Sequence, residues 1–192
     1  MSDEQGTGSA WDVLEGVRLP QGYRVEITAG KIIMTPRTTE ASEIILSAAA
    51  QAKEQFPGRV LSGVVVDFPS DQHGYAPDLA LVAPGARHNA RARYEARDVV
   101  SVLEVVPRAR QDTDFVRKQR YLAECGVPLY VVVDPGEAVC TVHSRPLPGT
   151  GYREAERVPF GNDLFLPLGE RTLVLETGDF PVEPPTPGAA VG

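Results

Sequence analysis

The sequence has little of what most readily announces a function. Its two cysteines, Cys125 and Cys140, form no CxxC pair, and a single conceivable pairing is no disulfide framework. They read as small buried apolar side chains. The three histidines, His73, His88 and His143, are scattered, which speaks against a zinc site of standard ligand spacing. No apolar run approaches the roughly 20 residues that cross a bilayer, so no membrane partner is expected. There is no P-loop, dinucleotide fingerprint or serine hydrolase motif. Positive charge is scarce as well: 19 Lys and Arg stand against 26 Asp and Glu, a net charge of −7. The overall field of such a chain does not attract a polyanion. Contact with nucleic acid then requires a local basic patch, or divalent cations offsetting clustered carboxylates.

What is present is an ordinary globular composition, 42% hydrophobic and 23% charged over 192 residues. That length suits one domain with a sizeable core. The acidic, polar start, MSDEQGTGSAW, does not resemble a secretory signal, so a cytoplasmic protein is expected. Residues 1–10 are expected to be disordered, 11–180 to form a single domain, and 181–192 (PVEPPTPGAAVG) to make a flexible, Pro-rich tail.

Within that domain, Tyr23–Pro36 predicts two short strands around a turn at Ala29-Gly30. Glu40–Phe56 has apolar residues at helical spacing (Ile44, Ile45, Ala48, Ala49, Ala52) and is stopped by Pro57-Gly58. Three runs follow, Arg59–Phe68, Asp78–Ala83 and Val99–Val106, whose nearly continuous apolarity predicts strands covered on both faces. Gln111–Cys125 is the clearest helix, with Asp112 or Thr113 as cap, Gly126 as stop and Pro128 beyond. Leu129–Asp134 predicts another buried strand. Ala138–His143, Arg153–Pro159 and Thr172–Glu176 alternate more evenly, as antiparallel strands do. The fold class is therefore α/β or α+β, a mixed β-sheet flanked by helices.

Three residues carry the chemistry. Glu104 interrupts VVSVLEVV, and a carboxylate in a buried strand costs several kcal/mol unless it is paired, hydrogen-bonded or bound to a cation. An edge position facing solvent, or a buried ion pair, would equally explain it. Asp78 follows Ala76-Pro77 at the start of its strand, where it is either a turn residue or a second carboxylate beside Glu104. Lys118 shares a helix face with Phe115, Leu122 and Cys125, whereas Arg117 and Arg120 fall outside that stripe. It is either turned toward the sheet or snorkelling from the stripe's margin. Asp114 lies one turn earlier and is placed to orient it. Arg87, His88, Arg91, Arg93 and Arg97 form a basic loop, read as solvated or as a contact for a phosphate backbone.

The stretches PDLALVAPGA and VLEVVPRARQDTDFVRKQRYLAECGVPLYVVVDP resemble the Uma-two family of restriction-endonuclease-like proteins, also described as a domain of unknown function, within the PD-(D/E)XK nuclease superfamily. The matching residues are Pro77-Asp78-Leu79, Glu104-Val105, Asp114, Lys118, Tyr121, Gly126-Val127-Pro128, Tyr130 and Asp134-Pro135, in order. The hairpin YRVEITAGKIIMTP matches as well and adds Glu26 as a candidate acid. The resemblance covers about residues 11–180. It implies a restriction-endonuclease-like core with an N-terminal β-hairpin and extra C-terminal antiparallel strands. It also implies that the lysine comes from the helix after the Glu104 strand, because the usual place two residues after the acid is Val106. The chain departs from the family at Pro107-Arg108-Ala109-Arg110, where Ser-Pro-rich residues are usual, and at Val131, where tryptophan is frequent. The family's histidine near the first helix has no match, and Glu40 or Glu43 stands in its vicinity.

The expectation is a Mg²⁺-dependent endonuclease acting on DNA. Asp78 and Glu104 would hold Mg²⁺ or Mn²⁺, Lys118 would assist the water or the phosphate, and Glu26 would be a further acid. The alternative is a catalytically silent binding or regulatory module of the same fold, monomeric or homodimeric.

Overall fold

A computed structural model describes residues 22–28, 31–67, 76–90, 93–106 and 113–185, with the side chains of 26–28, 31 and 113–115 outside that description. The hairpin strands form as expected: β1 (Tyr23–Thr28) pairs antiparallel with β2 (Lys31–Pro36), and Glu26 lies opposite Ile33, while the expected turn at Ala29-Gly30 lies outside the described residues. Helix α1 (Thr39–Gln55) starts one residue before the expected Glu40 because the Thr38 hydroxyl caps it, accepting from the Ala41 amide at 3.1 Å. Pro57-Gly58 ends it. Gly58 also permits a close approach: a Cβ there would stand 2.1 Å from the Val82 carbonyl oxygen.

The expected single strand over Arg59–Phe68 is a correction. It is two pieces, β3 (Arg59–Leu61) and β4 (Val66–Asp67), parted at Gly63, whose φ of 62° is left-handed. β3 is an edge strand with exposed and half-buried residues, not one covered on both faces, and Phe68 lies outside the described residues. Then come β5 (Leu79–Val82), β6 (Tyr94–Glu95), a 3-10 turn over Ala96–Asp98, β7 (Val99–Val105), α2 (Thr113–Glu124) and β8 (Leu129–Asp134). Four more strands follow among the described residues: β9 (Val139–Leu147), β10 (Gly151–Pro159), β11 (Leu164–Leu168) and β12 (Arg171–Leu175).

Among the described residues the central sheet has six strands in the order β10-β9-β8-β7-β5-β3. Only β7 and β8 run parallel within it, and a parallel pair requires a crossover, which α2 supplies. The crossover helix stops in a Schellman motif. Gly126, at φ 74°, donates its amide to the Ala123 carbonyl and Val127 donates to Leu122, both at 3.0 Å, while the side chains of Leu122 and Val127 are fully buried.

Strand periodicity divides the core. Leu103 and Val105 of β7, with Leu129, Val131 and Val133 of β8, pack on Ile44, Ile45 and Ala48 of α1 and on the β11–β12 hairpin. Val102, Tyr130 and Val132 face the other way, onto Leu122 and Val127. Glu104 has the parity of Val102, so β7 turns its one carboxylate toward α2. Cys140 is buried and Cys125 half-buried, and both are free thiols. Residues 181–185 have no regular structure, yet Glu183 is buried. Its amide donates to the Pro135 carbonyl at 2.9 Å and its carboxylate accepts from the Thr38 hydroxyl at 3.1 Å, so the packed chain runs past residue 180. Among the described residues no helix is long and apolar enough to cross a membrane.

Candidate functional site

Asp78 and Glu104 meet at one end of the sheet. The register pairs Leu79 with Leu103 across the antiparallel β5–β7 ladder, which brings Asp78, just before β5, beside the last turns of β7. Both carboxylates are 0–1% exposed. Burial at that level is tolerable only with compensating partners, and each acid has a distinct set.

Glu104 is served from the α2 side. Its Oε2 accepts from the Tyr130 hydroxyl at 3.2 Å and lies 3.4 Å from the Lys118 ammonium. Lys118 is therefore turned inward, with its side chain 12% exposed, while Arg117 and Arg120 are exposed. Of the apolar stripe expected beneath it, Leu122 is fully buried and Cys125 half-buried. Phe115 and Asp114 have side chains outside the described set. Tyr130 is fully buried, and burial together with the negative charge of Glu104 pushes its pKa well above the usual phenol value. Its hydroxyl thus stays protonated and remains a donor at any working pH. On the neighbouring strand β9, His143 lies opposite Tyr130, stacks on it with centroids 5.9 Å apart, and bonds Gln119 of α2 through Nδ1 at 2.9 Å. Desolvation lowers the pKa of His143, so it is neutral at pH 7.

Asp78 is served from the hairpin. Oδ1 accepts from Arg37 Nε at 3.0 Å and Nη2 at 2.8 Å. Oδ2 accepts from Arg24 Nη2 and from the Val105 amide at 3.0 Å. Arg24 Nη2 also donates to the Val105 carbonyl at 2.8 Å and lies 3.9 Å from Glu104 Oε1, so one guanidinium reaches both acids. Neither arginine stands out in the sequence. Arg24 is one polar residue in an alternating strand, Arg37 directly precedes a helix cap, and only the folded hairpin carries them across. The signal available was indirect: two buried carboxylates demand more than one cation.

The other expected residues take lesser places. Glu26 sits in β1 with its side chain outside the described set. Glu40 lies in the first turn of α1 and is half-buried. In the basic loop, Arg93 is held by Asp67 at 3.3 Å and Arg97 by Glu95 at 2.8 Å, while His88 packs on Tyr94. Arg91, and Arg108 and Arg110 of the loop after Glu104, lie outside the described residues.

Two anionic oxygen donors on neighbouring strands are the ligand type a hard divalent ion takes, so the donor set fits Mg²⁺ in kind. Among the described residues no third His, Cys, Asp or Glu joins them, and both oxygens of Asp78 are already in use. A cavity of about 380 Å³, lined by Phe56, Pro57, Val100, Pro128 and Leu168 among others, opens at the opposite end of the strands, away from this cluster.

A mixed sheet whose parallel pair is bridged by a helix, with carboxylates on adjacent strands and a lysine from that helix, defines a nuclease-like α+β domain. The chain belongs to the Uma2 family, described as "Putative restriction endonuclease", whose profile matches residues 12–177. Among solved structures it is similar to "a putative nuclease belonging to DUF820 from Anabaena variabilis ATCC 29413", at 17% identity and a TM-score of 0.61, covering 84% of this chain and 89% of that one. That likeness is one of fold. No curated protein matches the chain.

Proposed function

We propose that this protein is an endonuclease that hydrolyses phosphodiester bonds in DNA with Mg²⁺ or Mn²⁺ as cofactor. The observation that carries the reading is Glu104, a carboxylate turned off a buried strand toward Lys118 and Tyr130 and one strand away from Asp78. Asp78 and Glu104 would hold the ion, which when bound supplies a Lewis acid and lowers the pKa of a coordinated water. Tyr130 fixes one oxygen of Glu104 by donation. Lys118 keeps a positive charge at the rim of the cluster, where it can offset negative charge developing on a phosphate. The exposed Arg117 and Arg120 on the same helix give an otherwise acidic chain a local basic face for a nucleic-acid backbone.

The test is cleavage of plasmid and linear DNA with Mg²⁺ or Mn²⁺. Lys118→Ala is expected to lower the rate at least a hundredfold while circular dichroism remains that of the wild type. Cleavage by Lys118→Ala at the wild-type rate would sink the site.

The saturation of Asp78 by Arg24 and Arg37 favours a second reading, a nuclease fold kept as a silent binding or regulatory module, monomeric or homodimeric. DNA binding at low salt with no cleavage under any divalent ion would decide for it, and light scattering would give its oligomeric state.

A further inference from the structure

Arg24 stands where a cation shared by the two acids would stand. Its Nη2 donates to Asp78 Oδ2 and to the Val105 carbonyl and lies 3.9 Å from Glu104 Oε1, with the side chain 7% exposed. Mg²⁺ binds oxygen at about 2.0–2.1 Å in a near-octahedral shell and is reluctant to lose its waters. It cannot bridge Asp78 and Glu104 while a guanidinium occupies the space between them, because the two cations repel and claim the same lone pairs.

The origin of Arg24 matters. Glu104 lies in the six-stranded sheet and Asp78 directly precedes its strand β5, whereas Arg24 comes from β1, which among the described residues pairs with β2 outside that sheet. An isolated hairpin of two strands is marginal in water. This one is tied to the site through two guanidiniums. Arg37 has further anchors: its Nη1 donates to the Tyr23 carbonyl at 2.9 Å and its amide to the Gly22 carbonyl at 2.7 Å, which close the open end of the hairpin. Arg24 reaches Glu104 as well as Asp78. If Arg24 withdrew, Asp78 would still be held by Arg37 and the Val105 amide.

We infer that Arg24 is the resident cation of this site and that a divalent ion binds in competition with it, which makes the β1–β2 hairpin a latch on the carboxylate pair. The inference rests on reading Asp78 and Glu104 as the metal ligands of the proposed nuclease. It goes beyond that reading by assigning a residue that decides when the metal binds.

The experiment measures Mn²⁺ binding, by electron paramagnetic resonance of the free ion, in wild type and in Arg24→Met, which keeps bulk and removes charge. Arg24→Met is expected to bind Mn²⁺ at least tenfold more tightly, and the double variant with Glu104→Gln to lose that gain. Equal or weaker binding by a folded Arg24→Met overturns the latch. Should that variant fail to fold, amide exchange on the wild type replaces it. Exchange in 23–28 and 31–36 is expected to accelerate at saturating Mn²⁺, and exchange that does not change overturns the latch. Neither arm reads cleavage. A gain in affinity in a protein that never cuts DNA supports the latch and tells against the nuclease. Cleavage by wild type with no gain in Arg24→Met does the reverse.

Discussion

The replacement Asp78→Ala separates an acid held under strain for catalysis from an acid that also anchors the fold. Removing a charged catalytic residue often stabilises an enzyme, because like charges or unpaired groups are relieved. The geometry here predicts the opposite. Asp78 accepts from Arg24, from two nitrogens of Arg37 and from the Val105 amide, and it is fully buried. Its loss strands an amide, which costs roughly 1–3 kcal/mol when left unsatisfied. It also strands two guanidiniums. The side chain of Arg37 is 16% exposed and can turn to water at small cost, whereas that of Arg24 is 7% exposed and, among the described residues, is left with the Val105 carbonyl and the more distant Glu104. Breaking one side of such a buried pair typically costs about 3–5 kcal/mol, and the shared network makes that range a better guide than any addition of its parts. For a chain of this length 1 kcal/mol moves the melting temperature by about 2–4 °C, so a fall of about 6–20 °C is expected. Urea denaturation in a chelating buffer gives the same quantity as a lowered midpoint with an unchanged slope. A loss under about 1 kcal/mol, or a gain, would show that the arginine clamp does not hold the hairpin down.

How much of this was legible in sequence follows from the range over which each feature is decided. β7, β8 and both helices fall within a few residues of expectation because apolar periodicity and Gly or Pro stops are local. The end of α2, for instance, needs only Leu122, Gly126 and Val127. The inward face of Lys118 was likewise readable from three- and four-residue spacings on one helix. Arg59–Phe68 was misread because a β-branched run hides the break at Gly63. β11 was missed because Pro167 argues against a strand, although in a two-stranded hairpin its lack of an amide donor costs little. The arginines were beyond reach for a different reason. Arg24 meets Asp78 across 54 positions, and its meaning depends on a hairpin folding over a sheet edge. The family resemblance could imply that the acids lie side by side, but not say which cation they would face.

Two further predictions follow from the geometry. Gly58→Ala puts a methyl group 2.1 Å from the Val82 carbonyl oxygen, a backbone atom that can move only with β5, and should cost about 1–3 kcal/mol by denaturation. An unchanged midpoint would show that the α1–β3 connection yields freely. The second concerns His143, whose pKa is lowered by burial. The unfolded chain takes up a proton at this residue below about pH 6.5, while the folded chain declines it until a lower pH. The unfolded state therefore holds more protons in that window, and stability contributed by the neutral ring falls as pH drops from about 6.5 through the folded pKa. Urea midpoints at pH 7.5 and 5.5 should consequently diverge more for wild type than for His143→Gln, which carries no titrating ring. The amide has its own use for the vacated place beside Gln119, so the variant's absolute stability is not the readout. The difference between the two pH slopes is, and equal slopes would mean that His143 accepts its proton in the folded state as readily as in the unfolded one.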